Sequence, residues 1–464
     1  MTGMDRLRER LVREYRKKTA KSRAVFGRAR KVMVGGGSHT IRLWKPYPFL
    51  AASAAGPAVR DIDGNTYIDY WQGHYANILG HNPGLIRRGM SACVGKGALH
   101  TGFEAGRQIE LAERLVRAVG GGDAKVRFTT SGTLATMYAV MLAQGLTGRD
   151  LVLKVGGGWH GASPYLLKGV NFRPEEGFEG RESAGLLDDI VRRTLITRFD
   201  DGDDLRRVIE ANGDRIACFI VEPFLGVGGF LPASREYLAL ARSLTEKHGI
   251  VLIFDEIISG FRFCPAGVQT LYGVRPDLTT FGKIIGGGHA VAAVVGPSRL
   301  MEGCERSGRD RVMFEGGTFS SHAEYMKAGL IMLGHLDRNA ATVYPRLARA
   351  GEKLRRGVEQ AFADEGIAVR CTGDGNDVVR GSSLVMVHFP REGQTAGPGP
   401  EELQDERRVD RALREDLLKL ALLVHGVNVV HGGGAVSAAH REGDIATTLA
   451  AYGEAARLFR KYLR

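Results

Sequence analysis

Between about residues 85 and 325, short apolar runs alternate with stretches whose apolar residues recur every three or four positions. The runs are "KVRFTT", "DLVLKV", "IACFIVEP", "IVLIFDEI" and "AVAAVVG", and "GRQIELAERLVRAV" shows the helical spacing. Strands that alternate with helices predict a mostly parallel sheet covered on both faces. Upstream, "AVRDIDGNTYIDYW" alternates apolar and polar residues around Asp63-Gly64-Asn65, which predicts a hairpin. Downstream, helices are expected at "AEYMKAGLIMLGHL", "YPRLARAGEKLRRGVEQAF" and "LREDLLKLALLVHG", strands at "SSLVMVHF" and "VNVVHG", and a closing helix from about Glu442. Residues 391–405, rich in Gly, Pro and acids, predict a mobile loop. The fold class is therefore α/β. Residues 1–84 form an N-terminal segment contributing to a small domain, 85–325 a large domain of mostly parallel sheet between helices, and 326–464 a C-terminal α+β small domain.

Length and composition narrow the class. A chain of 464 residues exceeds one ordinary core, so two or three subdomains are expected. Residues 1–31 are rich in Arg and Lys, but acids are interspersed and no apolar signal core follows, so they read as a solvated amphipathic helix. No apolar stretch is long enough to span a bilayer. The net charge of +12 raises the question of nucleic acid. The basic residues are spread along the chain, however, and no zinc spacing, helix-turn-helix or RNA-binding signature accompanies them. Neither nucleic acid nor membrane is expected as a partner. Five scattered cysteines argue against a disulfide framework and for a reducing cytoplasm.

Three features stand at the ends of predicted strands, where ligands bind in open parallel sheets. Ser131-Gly132-Thr133, in "TTSGTLATMYAV", lies between a strand and a helix. Free N–H groups and the positive dipole end there suit a phosphate, and an ordinary helix cap is the alternative. Asp255 ends the apolar run "VLIFD" and needs a cation, which an arginine, a metal or a ligand could supply. Its neighbour Glu256 points to the opposite face of a strand, so the two carboxylates cannot readily share a metal, and none is expected. Lys283 lies between an apolar run and a triple glycine. If it is not simply a surface lysine, desolvation lowers its pKa and leaves an amine able to attack carbonyls. A phosphate cradle, a buried acid and a desolvated lysine are together what pyridoxal phosphate requires: the lysine for a Schiff base, the acid for the pyridine nitrogen.

These residues stand within "GGGSHTIR", "DIDGNTYIDYW", "ILGHNP", "SGTLATM", "GGGWHGAS", "IVEPF", "IFDEIISGFR", "GVRPDLTTFGKIIGGG", "EGGTFSSH" and "VSAAHREGDI". Through them nearly the whole chain after about residue 30 resembles the class III, fold-type I aminotransferases, within them the glutamate-1-semialdehyde 2,1-aminomutase-like branch. The resemblance implies that Gly132 and Thr133, with Ser131 beside them, bind the cofactor phosphate, that Trp159 stacks on its ring, and that Glu222 supports the site. It also implies that Thr318 reaches the phosphate of a neighbouring subunit, hence a homodimer with composite active sites. On the substrate side it points to Arg42 for a carboxylate and to His74 as a wall of the pocket. Leu134, Val227, Ile258, His289, Ala290 and Gly432 depart from the patterns of relatives. The expected function is a pyridoxal-phosphate-dependent aminotransferase, with an amino donor and a keto acceptor as its small-molecule partners. An intramolecular aminomutase, or an epimerase on the same scaffold, is the alternative.

Overall fold

The apolar runs assemble into one seven-stranded sheet. In chain order its strands are β1 (Ala124–Thr129), β2 (Leu151–Val155), β3 (Thr194–Thr197), β4 (Ile216–Val221), β5 (Val251–Glu256), β6 (Leu278–Phe281) and β7 (Ala292–Pro297). In space the order is β1-β7-β6-β5-β4-β2-β3, and only β7 runs antiparallel to its neighbours. The computed structural model describes residues 2–95, 102–305 and 307–463.

Burial on both faces explains why these strands read as continuous apolar runs. Leu153, Phe219, Leu252 and Phe254 enter the core on one face. Val152, Cys218, Ile220 and Ile253 face the other, where Ala135, Ala139 and Ala143 of the Gly132–Thr147 helix lie against them. The short edge strand β3 and the four-residue β6 carry too few apolar residues to stand out in the sequence.

A second unit draws on both ends of the chain. The expected hairpin pairs Ala58–Asp61 with Thr66–Asp69, and Val427–Asn428 adds a parallel strand beside Ile68 and Asp69. A three-stranded sheet of Arg370–Thr372, Leu384–His388 and Gly434–Ala435 lies in the same unit. Its core gathers Leu7 and Leu11 with Leu354, Val358, Leu420 and Tyr452.

Two expectations need correction. The N-terminus is not one solvated helix but two, Gly3–Lys18 and Ala20–Val32, and the first buries Leu7, Leu11 and Tyr15. Their spacing of four residues makes one apolar stripe, which the dense charges obscure in the sequence. Residues 391–405 are not wholly loop. Pro400–Gln404 is a short helix, Leu403 is buried, and Gln404 accepts a hydrogen bond from Phe172 N at 3.0 Å. Among the described residues no helix is long and apolar enough to cross a membrane, and all five cysteines are free.

Candidate active site

The ends of β1, β4 and β5 and the turn after β6 converge on a cavity of about 220 Å³, lined by Ser131, Gly132, Thr133, Trp159, Glu222, Asp255 and Lys283. All seven were singled out from the sequence. Their convergence follows from topology, because parallel strands deliver their C-terminal ends to one edge of the sheet.

Asp255 is buried near the end of β5. One carboxylate oxygen, Oδ2, lies 2.8 Å from His160 Nδ1. The other accepts hydrogen bonds from Ile257 N at 3.0 Å and Thr280 Oγ1 at 3.1 Å. Glu256 faces the other side and accepts from Gln269 N at 3.1 Å. The carboxylate is thus fixed in orientation by three neighbours, none of which the sequence reading singled out. Thr280 could not be found by motif, since it meets Asp255 through the register of β6 against β5. His160 carried a signal, standing beside Trp159 in "GGGWHGAS". Burial pushes the His160 pKa down despite the pull of Asp255. The ring is therefore a neutral imidazole that donates from Nδ1, and its buried Nε2 has no hydrogen-bond partner among the described residues.

Lys283 follows β6 in a left-handed backbone conformation, φ 47°, which a non-glycine residue adopts only where its surroundings hold it there. The lysine is partly buried, and no described residue forms a hydrogen bond or ion pair with its Nζ. Burial lowers its pKa to about 8, against the opposing pull of Asp255 and Glu222. Glu222 shifts the other way, up to about 8, chiefly through burial and secondly through the Asp255 charge. Its two oxygens accept from Trp159 N at 2.9 Å and Gly226 N at 3.0 Å, so Glu222 anchors the backbone beside the ring of Trp159.

The Gly132–Thr147 helix begins at the cavity, with Ser131 Oγ accepting from Leu134 N at 3.3 Å. The N–H groups of Gly132 and Thr133 precede any helical acceptor and remain available to an anion. Opposite them, a Cβ on Gly161 (φ 84°) would come within 2.4 Å of Thr133 Oγ1. Only glycine allows the loop and the helix to approach so closely. Trp159 is 36% exposed and lines the cavity, where its indole can offer a flat apolar face to a ligand ring.

The remaining sequence candidates lie outside the cavity lining. His74 belongs to a run of left-handed residues, Gln72 to Tyr75, started by Asp69, which accepts from Trp71 N and Gln72 N. Burial lowers its pKa to about 4, aided by the charges of Arg42, His39 and Lys283, so these groups share one neighbourhood. Arg42 is exposed, and its Nη1 donates to Ser38 Oγ at 3.1 Å. Thr318 is exposed beside Phe319 and does not reach this chain's cavity. The donor set fits pyridoxal phosphate: an anion site, a flat apolar face, an oriented carboxylate and an unpartnered amine occur together.

Comparisons with known proteins agree with this geometry. The family described as Aminotransferase class-III matches residues 42–376. A glutamate-1-semialdehyde 2,1-aminomutase of Methanosphaera stadtmanae is 34% identical over 93% of this chain and 97% of its own length. An omega-transaminase from Sphaerobacter thermophilus superposes with a TM-score of 0.82 at 30% identity, covering 94% of this chain and 97% of that one. A transaminase with PLP bound superposes with a TM-score of 0.83 at 27% identity, over 96% of this chain and 99% of that one. The α/β architecture is that of the fold-type I pyridoxal-phosphate enzymes. On sequence and structure alike, the chain belongs to the class III aminotransferase family.

Proposed function

We propose that the protein is a pyridoxal-phosphate enzyme that shifts an amino group between neighbouring carbons of one carboxylate-bearing substrate, as a glutamate-1-semialdehyde 2,1-aminomutase does. The observation that carries the chemistry is the unpartnered Lys283 amine in a cavity that also holds an oriented Asp255. The choice of the intramolecular reaction is supported by the 34% identity to an aminomutase along nearly its whole length. Transfer between an amino donor and a keto acceptor is the second reading, supported by the likeness to the omega-transaminase.

When bound, pyridoxal phosphate supplies an aldehyde that carries the amino group and a ring that draws electrons from the substrate carbon. Ser131, Gly132 and Thr133 would hold its phosphate, Trp159 a ring face, Asp255 the ring nitrogen and Lys283 the aldehyde. Lys283, with a pKa near 8, both accepts and returns a proton at Nζ around neutral pH. His160, Thr280 and Ile257 N keep Asp255 aimed. Arg42 offers a guanidinium fork to the substrate carboxylate. Neutral His74 adds a polar wall without competing for that carboxylate. A second copy of the chain would bring Thr318 to the phosphate, and the free cysteines support a cytoplasmic setting.

The experiment supplies glutamate-1-semialdehyde, and separately a panel of amino acids, to the enzyme with no keto acceptor. Continued turnover of the semialdehyde supports the mutase. One half-reaction followed by a stop, restored by a keto acid, supports the second reading in its place.

A further inference from the structure

Lys154 lies within β2 and is completely buried, yet among the described residues no carboxylate stands within ion-pair distance of it. Its Nζ is surrounded by backbone carbonyls: Lys168 O at 2.7 Å, Gly158 O at 2.8 Å and Leu166 O at 3.4 Å. An ammonium has three N–H donors and here finds three acceptors. The acceptors come from the two ends of one crossing loop, which leaves β2 at Gly156 and returns at Gly169. Gly157 N donates to Gly169 O at 2.8 Å and closes its neck.

This loop carries Trp159, His160 and Gly161 into the cavity. Apart from the turn Pro164–Leu166 it has no regular structure, so its backbone carbonyls need partners from elsewhere. Placing a lysine beneath it is costly, and burial moves the Lys154 pKa down to about 7. A buried hydrophobic residue would avoid that cost but would leave the carbonyls unpaired. Above the clasp, Glu222 holds Trp159 N and Thr136 Oγ1 holds His160 O at 2.6 Å, so the segment is pinned from two sides.

We propose that Lys154 is a positioning residue: its ammonium clasps both ends of the 156–169 loop and thereby sets the face of Trp159 and the contact of His160 with Asp255. What Trp159 and His160 then act on rests on the pyridoxal-phosphate reading above. Lys168 provides the comparison. Its side chain is directed away from the clasp, to Thr194 O at 2.8 Å and Glu179 Oε2 at 2.7 Å.

The test uses Lys154→Met, which keeps the length and removes every N–H, beside Lys168→Met. The apoenzyme of Lys154→Met is expected to bind pyridoxal phosphate about tenfold more weakly or worse, since a hydrogen bond from a charged donor is worth at least that factor. The induced circular dichroism of the bound cofactor should shrink, whereas Lys168→Met should leave both readings as in the wild type. Unaltered affinity and dichroism in Lys154→Met would overturn the clasp. Should the wild type bind no cofactor, the proposed function fails, and hydrogen–deuterium exchange judges the clasp alone. Peptides of the loop should exchange as slowly as those of β2 in the wild type, and faster in Lys154→Met. Should Lys154→Met not fold, the wild-type measurement decides, and a loop exchanging at free-peptide rates sinks the inference.

Discussion

The Lys283 amine is the group whose behaviour most directly tests the site. Burial takes its pKa from the ordinary 10.5 to about 8. At pH 7.5 an amine with the ordinary value is about 0.1% free base, and one with a pKa of 8 is about 24% free base, a gain of about 240-fold in reactive amine. Reductive methylation of the apoenzyme with isotope-labelled formaldehyde, followed by peptide mapping, reads this amine separately from the others. Its reactivity should rise with pH and reach half its maximum near pH 8. The sign of one variant is also determined. The Asp255 charge raises the Lys283 pKa against the larger effect of burial, so Asp255→Asn should move the midpoint lower still. A midpoint near 10 in the wild type, or an upward move in Asp255→Asn, would refute the reasoning, because a solvated lysine would then occupy position 283.

Three further outcomes are expected. His160→Phe leaves one oxygen of buried Asp255 without its partner at 2.8 Å. It should cost about 1–3 kcal/mol, read as a lower unfolding midpoint of the apoenzyme, and an unchanged midpoint counts against the pairing. Gly161→Ala would place a Cβ 2.4 Å from Thr133 Oγ1 at a φ of 84°. A loss of about 1–3 kcal/mol together with weaker phosphate binding is expected, and a neutral substitution would mean that the loop does not approach the helix. Arg42→Ala should raise KM for carboxylate-bearing substrates by about tenfold or more, with carboxylate-free carbonyls less affected, and an equal KM would remove Arg42 from the site.

What was legible in the sequence is what local chemistry dictates. The alternation of apolar runs with helical spacing revealed the doubly covered sheet, since strands buried on both faces must be apolar throughout. Lys283, Asp255 and the Ser131-Gly132-Thr133 turn were legible because a charge at the end of an apolar run, or a small hydroxyl turn before a helix, is unusual without a ligand. The stripe of Leu7, Leu11 and Tyr15 was not legible as core, because whether an amphipathic helix is covered depends on what the distant C-terminal helices present to it.

The sequence by itself determined the kind of protein: an α/β chain whose strand ends carry a phosphate turn, an acid and an amine. Only the tertiary structure decided the partners. That Asp255 meets His160 and Thr280, 95 and 25 positions away, follows from strand order and register, which no local window contains. That Lys154 serves a loop and not an acid, and that Thr318 lies away from its own cavity, are equally matters of three-dimensional placement. Residue type sets which chemistry is available, and long-range packing sets which groups come within hydrogen-bond distance to perform it.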